Sequence, residues 1–168
     1  MAEFEVTGPF ELPITMMATG AKHLNEKDAK QMVAGIDDFQ SRGCYVISAR
    51  SPNGHTPIYV GKAGKRELGK ECLIARNVGF INEAINEKKR RFPCIFLVRQ
   101  LKGKGPWNEN EIAQVEEYLI ANAATKNPNL KNRQLLPKEK WRIKGIVKAK
   151  KGEANGASSA LRKALNIR

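Results

Sequence analysis

The chain has 168 residues, 41% of them hydrophobic, and carries 30 Lys and Arg against 17 Asp and Glu, a formal charge of +13. That apolar share excludes general disorder and suits one packed domain, while the longest apolar run, residues 94–98, is too short to cross a bilayer. The first residues, 1–5, are acidic and lack a signal-peptide core, so a soluble, cytoplasmic protein with an anionic partner is expected.

In chain order, residues 1–22 read as irregular, because Pro9 and Pro13 interrupt them. Asn25 is a plausible N-cap for a helix whose stripe is Met32, Val33, Ile36 and Phe39, ending at Arg42-Gly43. Residues 44–49 and 58–61 are β-prone and flank turn chemistry, which predicts a hairpin. A basic glycine loop follows at Gly61-Lys62-Ala63-Gly64-Lys65. A helix is predicted over roughly 67–90, with Ile74, Val78, Ile81 and Ile85 as its inner stripe. Residues 94–99 read as a buried strand. The next helix, about 108–124, carries Ile112, Val115, Leu119, Ile120 and Ala123. A last strand at 141–147, a linker at 150–156 and a short basic helix at 158–166 complete the chain.

The charge is unevenly spread: residues 1–40 hold 3 basic and 7 acidic residues, 41–130 hold 15 and 8, and 131–168 hold 12 and 2. Clustering of this kind suits a phosphate polymer, since each neutralised phosphate releases counterions. Cys44, Cys72 and Cys94 are too far apart for a CxxC zinc site, and His23 and His55 are the only histidines. A zinc enzyme or a histidine triad is therefore not expected. The glycine loop lacks the GxxxxGK[ST] spacing of a P-loop, because Arg66 follows Gly64-Lys65.

At 100° per residue, Glu116 falls about 40° from Ile112, inside the apolar stripe, whereas Glu117 falls about 140° away and faces solvent. A carboxylate on an inward face must be paired in a salt bridge or bind a metal. Tyr45 and Tyr59 lie on the two strands of one hairpin, which by itself is core packing as much as chemistry.

Cys44-Tyr45-Val46, twelve residues, then Tyr59-Val60-Gly61-Lys62-Ala63 resembles the paired signature of the GIY-YIG nuclease superfamily, and its second half resembles the excision-repair branch. The resemblance covers about residues 43–133. It implies an α+β core, a small antiparallel three-stranded sheet flanked by helices; the N-terminal extension with its helix, 1–42, and the basic C-terminal extension, 134–168, lie outside it. It implies that Glu116, in Val115-Glu116-Glu117-Tyr118, binds one divalent ion, Mg²⁺ or Mn²⁺, and that Asn132 anchors the site, with Asn129 in reserve. Tyr45 would accept the proton of the attacking water, and Tyr59 would orient phosphate and water. At the family's usual arginine position stands Gly69, so Arg76 is the candidate and Arg66 its rival. Phe80 stands where many members have a polar residue.

The function expected is metal-dependent cleavage of double-stranded DNA, of restriction, mobile-element or repair type. No membrane and no small-molecule cofactor are expected, and a homo-oligomer is left open. Lys62, Lys65, Arg66, Lys144, Lys148, Lys150 and Lys151 are expected to bind nucleic acid. The alternatives are a non-catalytic basic nucleic-acid-binding module and a PD-(D/E)xK nuclease built on Glu87-Lys88-Lys89 with Asp37 or Asp38.

Overall fold

A computed structural model describes residues 2–88, 90–101, 106–132 and 141–167. The N-terminal segment is a strand, β1 (Glu3–Glu11), in which buried Phe4 and Val6 alternate with half-buried Glu3, Glu5 and Thr7. Pro9 does not end it, because the register shifts between Thr7 and Phe10, and an irregularity is where a strand tolerates proline. A small ribbon follows, β2 (Ile14–Met16) with β3 (Lys22–Leu24). Helix α1 (Glu26–Ala34) is capped by Asn25, whose Oδ1 accepts from Asp28 N at 3.2 Å. A 3-10 turn, Asp37–Gln40, leads into the hairpin of β4 (Gly43–Ser51) and β5 (Gly54–Ala63).

The helix expected over 67–90 is two helices, α2 (Leu68–Cys72) and α3 (Ala75–Asn86), broken at Leu73-Ile74. Strand β6 (Phe92–Gln100) has its centre wholly buried. Helix α4 (Glu109–Lys126) is capped by Asn108 and buries the whole expected stripe. The expected strand at 141–147 shrinks to β7 (Arg142–Ile143), and α5 (Gly156–Leu165) closes the chain.

The expected small three-stranded antiparallel sheet is therefore wrong. The sheet has five strands in the order β5-β4-β6-β1-β7 and is mixed. β1 lies antiparallel to β6, and β7 lies parallel to β1. The physical reason is that β6, buried on both faces, needs a partner on each edge, and the N-terminal strand supplies the second.

The sheet packs a core on each face. Tyr45, Ile47, Tyr59, Ile95 and Leu97 meet α1, α2 and α3 on one. Val46, Val60, Phe96, Val98 and Phe4 meet α4, α5 and Trp141 on the other. The basic C-terminal segment is thus not a loose tail, since Leu161 and Leu165 are fully buried. Arg142 ties it to the start of the chain, donating to Glu3 Oε1 at 3.1 Å and to both oxygens of Glu153 at 2.9 Å. Among the described residues, no helix is long and apolar enough to cross a membrane.

Candidate functional site

The register pairs Tyr45 with Gly61 and Ile47 with Tyr59, so both tyrosines stand on the same face of adjacent strands, with ring centroids 6.2 Å apart. They differ in what they face. Tyr45 is 2% exposed; its hydroxyl accepts from Asn77 Nδ2 at 2.9 Å and donates to Glu71 O at 3.3 Å. Asn77 Nδ2 also reaches Glu71 O and Cys72 O, so one amide holds Tyr45 against the α2–α3 break. Burial pushes the Tyr45 phenol far above its ordinary pKa, against a smaller opposing pull from Asn77. A phenolate at Tyr45 would need a nearby positive charge, but the cations of the cleft are engaged elsewhere: Arg76 bonds Tyr59 and Lys62 bonds Glu116. Gly61 makes room for this ring, because a Cβ there would stand 2.4 Å from the Tyr45 hydroxyl. The glycine of Tyr59-Val60-Gly61 is thus required by the close approach of the first tyrosine.

Tyr59 turns its hydroxyl to an open cleft of about 480 Å³ between α3, α4 and the β5 edge. Arg76 Nη2 donates to that hydroxyl at 2.7 Å, and the guanidinium lies 5.2 Å from the ring centroid. Burial raises the Tyr59 pKa, and the Arg76 charge opposes the rise. Phe80, with its ring centroid 5.6 Å from that of Tyr59, forms an apolar wall of the cleft. The break between α2 and α3 sets Arg76 in the first turn of α3, facing β5, whereas Gly69 is packed against Val33, 2.7 Å from where a Cβ would sit. Arg66, the rival, is exposed, with its Nε 3.8 Å from Glu71.

Glu116 enters the cleft from α4 with a side chain only 14% exposed, and its Oε2 lies 2.8 Å from Lys62 Nζ. The hydrogen bond from Lys62 raises the lysine's own pKa. Glu117 was expected to face solvent; instead its Oε2 is buried and, among the described residues, has no hydrogen-bond partner. Its charge also acts on Lys62. Asn132 caps the open edge of β5: its Oδ1 accepts from Val60 N at 3.3 Å and its Nδ2 donates to Val60 O at 2.7 Å. Asn129 is exposed, donates its N–H to Asn127 Oδ1, and does not line this cleft.

Five residues singled out from sequence therefore line one cleft: Tyr59, Lys62, Arg76, Glu116 and Asn132. Tyr45 backs it from within the core. Sequence reasoning missed two contributors. Asn77 is fully buried yet polar, which no periodicity announces, and Lys131 reaches the cleft while pairing with Glu83 at 2.6 Å. The other expected nucleic-acid contacts stand apart from the cleft. Lys65 and Arg66 are exposed beside the glycine loop, Lys144 is half-buried, and Lys148, Lys150 and Lys151 are exposed between β7 and α5. Of the residues of the PD-(D/E)xK alternative, Glu87 pairs with Arg91 and Asp38 with Arg99, and Lys89 lies outside the described residues.

Among the described residues, no three His, Cys, Asp or Glu side chains gather. That leaves Glu116 as a lone carboxylate, a donor set that suits a hard ion such as Mg²⁺, which keeps several waters and takes phosphate oxygens as ligands. The chain matches no family model, no curated protein and no solved structure. The family resemblance rests on the motif residues themselves.

Proposed function

We propose that the chain is an intracellular endonuclease that hydrolyses phosphodiester bonds in double-stranded DNA, with one Mg²⁺ or Mn²⁺ held by Glu116. One observation carries the reading. A carboxylate, a phenol held by a guanidinium, a lysine and an edge-anchored asparagine line a single cleft, in a chain of formal charge +13. The three free cysteines, all buried, suit a reducing compartment.

Hydrolysis joins a water oxygen to phosphorus, breaks the bond to the 3′ oxygen, and concentrates negative charge on the five-coordinate phosphate. The metal, when bound, polarises the phosphate and stabilises the leaving oxygen. Arg76 meets the equatorial charge where it peaks. Tyr59, oriented by Arg76, positions water and phosphate. Asn132 holds the backbone of Val60, between Tyr59 and Lys62, so the cleft floor keeps its shape. Tyr45 is the proton acceptor implied by the resemblance, and its engaged hydroxyl and raised pKa favour a second reading, a nucleic-acid-binding module without catalysis.

The deciding experiment incubates purified protein with supercoiled plasmid in Mg²⁺, Mn²⁺ or EDTA. Metal-dependent nicking is expected, with Glu116→Ala at least about a hundredfold slower and still able to bind DNA. Wild-type cutting by Glu116→Ala overturns the metal assignment. Binding with no cutting under any metal leaves the module.

A further inference from the structure

The ion pair between Lys62 and Glu116 engages one oxygen of the carboxylate on which the proposed chemistry depends. Lys62 Nζ sits 2.8 Å from Glu116 Oε2, and the carboxylate is largely buried while the lysine side chain is about half exposed. The protein cannot leave such a carboxylate without a counter-charge, because an unpaired buried charge is costly. A lysine on a flexible stem meets that need and can be released, unlike a bidentate arginine. A second observation indicates where the ammonium goes on release. The next residue on α4, Glu117, keeps Oε2 buried without a hydrogen-bond partner among the described residues, and its charge already acts on Lys62.

We infer that Lys62 is a resident cation at Glu116 that a divalent ion displaces, the ammonium passing to Glu117. The inference rests on Glu116 being the metal ligand. Lys62 is then a positioning residue that sets metal affinity. It keeps the metal-free cleft neutral at Glu116, and it couples metal loading to a shift of positive charge away from Glu116.

The test is a Mn²⁺ titration followed by electron paramagnetic resonance and calorimetry, without DNA, on wild type, Lys62→Met, Lys62→Arg, Glu117→Gln and Glu116→Gln. Lys62→Met should bind Mn²⁺ about tenfold more tightly, since a repelling charge and a competitor are removed together. Lys62→Arg should bind no more tightly than wild type. Glu117→Gln should weaken Mn²⁺ binding, and that effect should shrink in the Lys62→Met background, a coupling that independent sites would not show. Thermal unfolding checks that each variant is folded. Equal or weaker Mn²⁺ affinity in a folded Lys62→Met overturns the inference, even if plasmid is cut as proposed. Mn²⁺ binding that Glu116→Gln leaves intact overturns it together with the metal assignment. Tighter binding by Lys62→Met with no cutting of any substrate upholds the exchange and removes the nuclease reading alone.

Discussion

The two faces of the sheet are built on different terms. On the face under α1, α2 and α3, the core contains a polar knot: the Tyr45 hydroxyl, the Asn77 amide and the backbone carbonyls of Glu71 and Cys72. On the face under α4 and α5, the filling is almost all hydrocarbon, with Trp141 edge-on to Tyr118 at 5.0 Å. The first face specifies orientation, since each buried polar group has few partners that satisfy it. The second supplies mass. The cleft lies on the seam: Tyr59 and Arg76 come from the specifying side, and Glu116 comes from the helix of the other. The geometry of the cleft depends on both.

The largest losses are expected on the hydrocarbon side. Leu161→Ala should cost about 2–5 kcal/mol, measured by chemical denaturation, because a fully buried leucine leaves a cavity. Deleting residues 156–167 should abolish folding rather than merely weaken DNA binding, which would be seen as loss of a cooperative transition. On the specifying side, Gly61→Ala should cost about 1–3 kcal/mol through its collision with Tyr45, and less in a Tyr45→Leu background. Tyr45→Phe should cost about 1 kcal/mol, since Asn77 Nδ2 keeps two carbonyl acceptors. If that variant cuts plasmid at the wild-type rate, Tyr45 is a brace and not a proton acceptor.

The smallest effect is a pH dependence. His55, half-buried and near Arg50, has its pKa lowered by burial first and that charge second. The unfolded chain therefore binds this proton more readily. The stability from neutral His55 is complete above about pH 6.5 and is lost as pH falls toward the lowered folded value. Glu3 and Glu153, held below the carboxylate norm by hydrogen bonding, lose theirs only at lower pH. Thermal unfolding at pH 7.5 and 5.5 should show a smaller difference for His55→Gln than for wild type.

Much of the hydrocarbon side was legible. The α4 stripe is buried as its spacing requires, and α5 sits where Leu161 and Leu165 placed it. Residues 1–22 read as irregular because of Pro9 and Pro13, yet β1 runs through Pro9, and the register shift beside it shows how a strand absorbs a proline. Sheet order was not legible, because pairing β1 between β6 and β7 depends on contacts far apart in sequence. At the site, periodicity found Glu116 because a carboxylate on an apolar stripe contradicts its surroundings. It misplaced Glu117, because a helix packed by both β5 and α5 has little solvent face left. Arg76 was named from sequence, but its place in the first turn of α3 depends on the α2–α3 break, which no glycine or proline marks.

The bond of Asn132 to both polar groups of Val60 has a consequence for association. An edge strand invites another chain to add beside it. Here Asn127 donates to Pro57 O, Lys131 N–H to Ile58 O, and Asn132 serves Val60. The stretch from Pro57 to Val60 is sealed by side chains and backbone of the same molecule, and at the far edge β7 offers only two residues. A second copy cannot extend this sheet across the cleft edge without first pulling that segment away, so strand-to-strand aggregation there is blocked by the same asparagine that shapes the cleft.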